Sequence, residues 1–151
     1  MFDAKFTGME QLIRKSRGLS HAVRVRLARN AVVAGAQPIK KQAQRNAQGL
    51  DDPETGRSIA KGVAVRYRKK LSEQSGNPTA SVGVLYARGR IPKGNPDLPE
   101  NIGHWHLLEL GTEKMAAQPF LKPAALQAAQ QVPQAVAANL ERGIDRELKK
   151  L

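Results

Sequence analysis

Residues 107–125 read LLELGTEKMAAQPFLKPAA, and this segment constrains the fold more than any other part of the chain. Its apolar start is typical of a buried strand, and Gly111 can supply a turn residue with positive φ. Pro119 and Pro123 restrict the backbone around a single aromatic residue, Phe120. We therefore predict a strand, a turn and then the start of a helix, with no obvious catalytic residue among them.

Helices are predicted on both sides of this segment. Toward the N-terminus, residues 8–47 form two helices, a short one to about Arg17 and a long one that Ser20 caps. Pro38 lies inside the long helix, so we expect a bend or a break at residues 35–37. Toward the C-terminus, residues 120–151 carry an apolar stripe at helical spacing, and we expect one helix that bends at Pro133.

A sheet is predicted between these helical parts, in residues 57–111. Residues 62–70 and 79–87 alternate apolar and polar side chains, which is typical of half-exposed antiparallel strands. Residues 88–103 are rich in Pro and Gly and indicate a long loop. Residues 105–110 are the candidate third strand, although so short an apolar run also fits a short helix.

The predicted fold class is therefore α+β. An antiparallel sheet of three to four strands packs with a long N-terminal helical segment and a long C-terminal helix. At 151 residues the chain has the length of a single domain.

The charge of the chain points to acidic partners. Twenty-five Lys and Arg residues against 13 Asp and Glu give a net charge of +12, which attracts nucleic acid or acidic protein surfaces. The candidates for DNA or acidic-partner contact occupy the wider polar surface of the long N-terminal helix: Arg24, Arg26, Arg29, Lys40, Lys41 and Arg45. The same charge would attract acidic membranes, but nowhere do 18 or more apolar residues run together, so we expect a soluble, unexported protein without a membrane partner.

Catalytic chemistry finds little support. Cysteine is absent, which excludes thiolate ligands and thiol nucleophiles. His104, His106 and Glu109 form the one set that resembles a metal site, and we interpret them instead as ordinary surface or interface residues. A phosphate-binding glycine loop and a serine nucleophile elbow are also missing. We therefore expect no cofactor, no metal and no enzymatic activity.

The segment 107–125 resembles a junction found in the tail-completion, or head-to-tail joining, proteins of long-tailed, lambdoid-type bacteriophages. In that family E-F-G-T and then A-x-P-F-x-x-P-A follow an apolar run, and residues 109–112 and 117–124 are their counterparts here. Leu110 replaces the family's Phe. The resemblance extends to an N-terminal tract, Ala36, Ile39, Ala43 and Ala47, and to the turn at residues 55–59. Gln48 and Gly49 stand where the family often has a Pro.

The resemblance implies a small α+β subunit of the virion that assembles in the bacterial host cytoplasm. Six such subunits are implied to form a ring at the head-proximal end of the tail or in the neck. The implied partners are other copies of the chain, a neck or head-completion protein, and the tail tube or a tail terminator protein. Double-stranded DNA would pass through the ring and contact it.

The candidate interface residues combine this resemblance with the chain's own pattern. Phe120 and Leu121 would anchor the junction, Gly111 and Pro119 would set its direction, and the 88–103 loop would contact a neighbour. The full predicted set is Ile91, Pro92, Leu98, Trp105, Glu109, Gly111, Thr112, Pro119, Phe120 and Leu121. Two alternatives stay open at this point: a basic, non-catalytic DNA-binding accessory protein, and a tail terminator.

Overall fold

The computed structural model of the chain describes residues 8–51, 58–85 and 102–151. Within these residues the protein is an α+β fold that is mostly helical. The elements in chain order are α1 Met9–Ser16, α2 His21–Gln48, α3 Ile59–Gly62, β1 Val63–Tyr67, α4 Lys69–Ser75, β2 Ala80–Val84, α5 Trp105–Leu110, α6 Leu121–Ala128 and α7 Gln131–Leu148.

The described residues divide into two compact units, each built from separate stretches of the chain. Unit 1 contains the described residues up to Pro38, together with Arg66–Ser81 and Ala129–Leu151. Unit 2 contains those of Ile39–Val65 and Val82–Ala128. Helix α2 and both strands contribute to each unit. That the chain forms a single domain stays a prediction.

Unit 1 packs α1 and α7 together with the first part of α2. Its main buried apolar cluster is small and consists of Leu19, Leu27 and Ile144. Helix α7 approaches α2 closely at Gly143, where an added Cβ would lie 2.7 Å from Leu27 Cδ2. A second close approach joins Gly35 and Val136, so small residues set the spacing of these two helices.

Unit 2 contains the larger core. Phe120 and Val63 are its largest fully buried side chains. The remaining buried members come from α2, α3, β2, α6 and the segment that leads into α5: Ala43, Ala47, Ile59, Ala60, Val84, Ile102 and Ala124. The alanines on α2 and α6 leave room for Phe120, so one aromatic ring fills much of the interior.

Two strands form the sheet among the described residues, and they pair in the antiparallel sense. Arg68 N donates to Thr79 O at 2.9 Å, and Leu85 N donates to Gly62 O at 2.8 Å. The predicted alternation is confirmed where Val63 is buried and Arg66 is exposed. The connection between the strands contains α4, which the sequence did not indicate because Lys69–Ser75 carries no apolar stripe.

The prediction of a third strand at residues 105–110 is wrong, since these residues form α5. The alternative of a short helix is correct. The expected count of three to four strands is thereby not confirmed. The predicted 88–103 loop lies outside the described residues except for Ile102 and Gly103, and Ile102 is buried in the core of unit 2.

Two proline-based predictions also need correction. The predicted break at Pro38 is wrong, because α2 continues through this residue and one missing N–H costs only one of the many hydrogen bonds in 28 residues, while the predicted bend stays a prediction. The predicted C-terminal helix is two helices, which separate at Ala129 and Gln130 rather than at Pro133. Pro133 is the third residue of α7, where its missing N–H would have no intrahelical partner.

None of the helices in the described ranges is both long and apolar enough to span a bilayer.

Candidate functional site

The junction between α5 and α6, residues 107–125, is a tight turn closed by backbone hydrogen bonds. Gly111 follows α5 with φ 78° and ψ 176°, which confirms the predicted positive φ. Thr112 and Met115 then form an isolated antiparallel bridge. Gln118 N donates to Leu108 O at 2.7 Å, so the chain returns to α5 before α6 begins.

Glu109 joins the two helices of this junction. Its Oε2 accepts hydrogen bonds from the backbone N–H groups of Phe120 at 2.7 Å and Leu121 at 3.0 Å. Its Oε1 accepts one from Lys122 N at 2.9 Å. These N–H groups lie at the start of α6 and have no partner within the helix, and the carboxylate also lies at the positive end of the helix dipole. Glu109 therefore serves as the cap of α6.

Phe120 anchors the same junction from the inside. Its side chain is fully buried, and the Trp105 ring meets it edge-on with centroids 6.4 Å apart. Asn46 Nδ2 of α2 donates to the Phe120 carbonyl at 3.2 Å. The ring is thus enclosed by residues of its own unit, which gives Phe120 a role within the subunit.

The other predicted interface residues are distributed over the surface of the junction. Thr112 and Pro119 are exposed, and Trp105 and Leu121 are half-buried. Ile91, Pro92 and Leu98 lie outside the described residues. Three exposed leucines were not among the predicted residues: Leu107, Leu110 and Leu126 are 40%, 78% and 70% exposed. Leu107 and Leu110 were missed because the interpretation of residues 105–110 as a buried strand placed both leucines in the interior.

The predicted basic residues fall into both units. Arg24, Arg26 and Arg29 belong to unit 1, where Arg26 forms an ion pair of 3.0 Å with Glu147 and Arg29 lies 4.8 Å above the Tyr67 ring. Those in unit 2 are Lys40, which is half-buried, and Lys41 and Arg45, which are exposed.

Unit 1 contains a cleft of about 960 Å³ between α2 and α7, which we call the basic cleft. Its apolar lining includes Leu27, Val33 and Ala34. Its charged lining consists of Arg26, Arg29, Arg142, Arg146, Lys150 and Glu147. The sequence analysis missed the three cations of the C-terminal region, although the spacing of Arg142 and Arg146 places them on one helical face.

Glu147 is the single acidic residue in the lining of the basic cleft. The hydrogen bond from Lys150 Nζ, at 2.9 Å, is the main cause that lowers the pKa of Glu147 below its ordinary value of 4.5, and the positive charges of Lys150 and Arg26 add to it. The carboxylate is therefore ionised at neutral pH.

His104 and His106 form no metal-binding cluster with other side chains among the described residues. His106 Nδ1 lies 3.0 Å from Gly103 O, and both His104 and His106 are exposed. Within the part of the chain that the structure describes, no group of three or more His, Cys, Asp or Glu could hold a metal ion. Glu109 directs its carboxylate to α6 instead.

Comparison with known proteins assigns the chain to a family. A family model described as "Bacteriophage HK97-gp10, putative tail-component" matches residues 10–111. The chain belongs to this family of bacteriophage tail components. The match contains Glu109 and Gly111 and ends before Phe120, so the 117–124 motif lies beyond it. Searches of curated proteins and of solved structures gave no match.

Proposed function

We propose that this protein is a ring-forming tail-completion subunit that joins a phage tail to the capsid neck around the DNA channel. The observation that carries the proposal is membership of the tail-component family over residues 10–111. The proposed work is binding rather than catalysis. The proposed partners are further copies of the chain, a neck or head-completion protein, and the tail tube or a tail terminator protein, and the proposed location is the virion.

Exposed apolar side chains in unit 2 support a subunit contact. Leu110 ends α5 and Leu126 lies on α6, and both expose most of their surface. Burial of such side chains against a neighbour removes apolar area from water, at roughly 25 cal/mol for each Å². A ring requires a heterologous contact that closes, and rigid helices joined by Glu109 offer a fixed surface for it.

Assembly and joining can be measured separately. Light scattering and electron microscopy of the purified protein should reveal closed rings, alone or after addition of tails. Tails and filled capsids from particles that lack the protein should join when it is added. Leu110→Ser should reduce both the yield of rings and the joining of tails to capsids. Leu71→Ser, which changes an exposed leucine of α4, should change neither. Joining that proceeds equally well without the protein would refute the proposal.

A DNA-binding accessory role is the second candidate, because five cationic side chains line the basic cleft. Lys and Arg contacts to phosphates release bound counterions, so affinity for duplex DNA would fall steeply with salt. Ring assembly through apolar contacts would not show this salt dependence, so the two candidates can be told apart by it.

A further inference from the structure

We propose that the basic cleft binds an extended segment of a partner protein that carries acidic residues at one end and apolar residues at the other. The proposal rests on the proposed function, because a subunit that joins a tail to a neck must bind a protein other than itself. It adds the surface of this chain that makes the contact and the chemistry of the segment that this surface recognises.

Helices α2 and α7 are antiparallel where they line the cleft. Gly143 approaches Leu27 and Val136 approaches Gly35, so residue numbers fall along α7 as they rise along α2. The lining extends from Arg26 to Gln37 on α2. At 1.5 Å for each residue this distance is about 17 Å, which equals the length of about five residues of extended chain.

The charged residues of the described lining lie together at one end of the cleft. In the antiparallel register, Arg142 and Arg146 lie beside the first part of the α2 lining. The charged end consists of Arg26, Arg29, Arg142, Arg146, Glu147 and Lys150. The other end is lined, among the described residues, by uncharged side chains that include Asn30, Val33, Ala34, Gln37 and Asn139. The two ends therefore suit different parts of a ligand.

The charged end suits carboxylates. Five cations and one carboxylate line the cleft, so its formal net charge is +4. Glu147 accepts Arg26 Nη2 at 3.0 Å and Lys150 Nζ at 2.9 Å, which shows that this end holds a carboxylate at hydrogen-bonding distance. Arg142 and Arg146 are exposed and lie four residues apart. Arg142 Nε donates to Ala138 O at 3.2 Å, which orients a guanidinium that has two further nitrogens for an incoming carboxylate.

This uneven distribution of charge favours a peptide over duplex DNA. Phosphates repeat evenly along a duplex, so a groove that binds them needs cations along its whole length. Val33 and Ala34 can instead remove apolar atoms of a peptide from water. The volume of about 960 Å³ is within the range of sites for short ligands. The segment therefore places its acidic residues at the charged end and its apolar residues at Val33 and Ala34.

The net charge of this chain argues that the segment belongs to a different protein. At +12, copies of the chain repel one another. Within the described ranges, the only acidic residues that lie within three residues of each other are Asp145 and Glu147. Both lie on α7 and form ion pairs. An acidic partner is attracted over a distance and matches the cleft.

Two fluorescent peptides test the proposal on the whole chain. The ordered probe has the sequence Glu-Glu-Glu-Leu-Val-Leu, and the alternating probe, Glu-Leu-Glu-Val-Glu-Leu, has the same composition and charge. Fluorescence anisotropy measures the binding of each. The ordered probe should bind about tenfold more tightly, because only its apolar half can reach the uncharged end while its glutamates meet the arginines.

Substitutions in the cleft supply the matched controls. Arg142→Glu/Arg146→Glu should weaken binding of the ordered probe at least about tenfold. Lys70→Glu/Lys114→Glu makes the same charge change at two exposed lysines outside the cleft and should change the affinity little. Val33→Thr keeps the shape of the side chain and adds a hydroxyl, so it should weaken the ordered probe alone. Circular dichroism verifies that each variant is folded.

Three results would overturn the proposal. Equal affinities for the two probes would show that the cleft does not distinguish its ends. If Arg142→Glu/Arg146→Glu weakened the binding of a fluorescent DNA duplex more than that of the ordered probe, the cleft would be assigned to phosphates. If the unlabelled Arg142→Glu/Arg146→Glu protein displaced the ordered probe from the wild type, the occupant would be a second copy. Ring assembly and joining are measured without the probes, so the proposed function can stand when this proposal fails.

Discussion

Glu109 stabilises the start of α6 although 11 residues separate it from the first amide that it binds. We predict that Glu109→Ala lowers the free energy of unfolding by about 2 kcal/mol, because three N–H groups lose a charged acceptor. Glu109→Gln should cost about half as much, since one acceptor oxygen remains. Urea unfolding measures both. Glu113→Ala, in the exposed turn, is the control, and equal midpoints for the two alanine variants would contradict the prediction.

Gly111 occupies a backbone conformation that is essentially restricted to glycine. An added Cβ would lie 2.8 Å from Ala117 N and 3.1 Å from Met115 O, and backbone atoms cannot move aside cheaply. We therefore expect Gly111→Ala to cost about 1–3 kcal/mol in thermal or urea unfolding. Gly83→Ala meets nothing within 4 Å and should change stability little. A Gly111→Ala variant as stable as Gly83→Ala would show that the turn can relax.

Of these two residues, the sequence predicted the conformation of Gly111 but not the role of Glu109. A glycine after an apolar run is a local signal, and the positive φ of Gly111 was predicted from it. The cap by Glu109 was not predicted, because helix-capping rules describe residues that are next to the helix in the sequence. Its acceptor role depends on the turn that brings α5 back to α6.

At the scale of elements, the last turn of α7 is fixed by the ion pairs of Glu147. A lowered pKa means that the ionised form is favoured by folding, so the stabilisation is present above pH 4.5 and is lost as pH falls through the folded-state value. The loss of thermal stability in Glu147→Gln should thus be seen at pH 7 and shrink as the pH falls below 4.5 and the carboxylate is protonated in both states. Glu141→Gln, at an exposed site of α7, should resemble the wild type over the same pH range. If Glu147→Gln were still less stable than the wild type in acid, the ionised carboxylate could not be the cause of the lost stability.

Two elements show why pattern alone is insufficient. Residues 105–110 are six residues long and apolar, a length at which strand and helix have the same signal. The separation of α6 and α7 falls at Ala129 and Gln130, and both are good helix formers, so nothing in the sequence marks it. The predicted alternation agrees with β1, where Val63 is buried and Arg66 is exposed, whereas four of the five residues of β2 are half-buried and only Val84 is buried.

At the scale of the whole molecule, salt separates the proposed functions. Ring assembly that depends on Leu110 and Leu126 should persist in about 0.5 M salt, since burial of apolar area is not screened. Duplex binding through the arginines should fall by about a thousandfold between low and moderate salt. Light scattering follows the first and fluorescence anisotropy the second. If rings dissociated at high salt while DNA stayed bound, DNA binding would become the better-supported function and ring formation the weaker one.

The cap at Glu109 has a consequence for how this part of the protein opens. Helix α6 has eight residues, and a helix of that length does not persist alone in water. Its first amides gain their acceptor only when α5 and the Gly111 turn are in place. We therefore expect the two helices to open and close as one cooperative unit. Hydrogen exchange at the Phe120 and Leu121 amides should report the opening of α5 as well as that of α6.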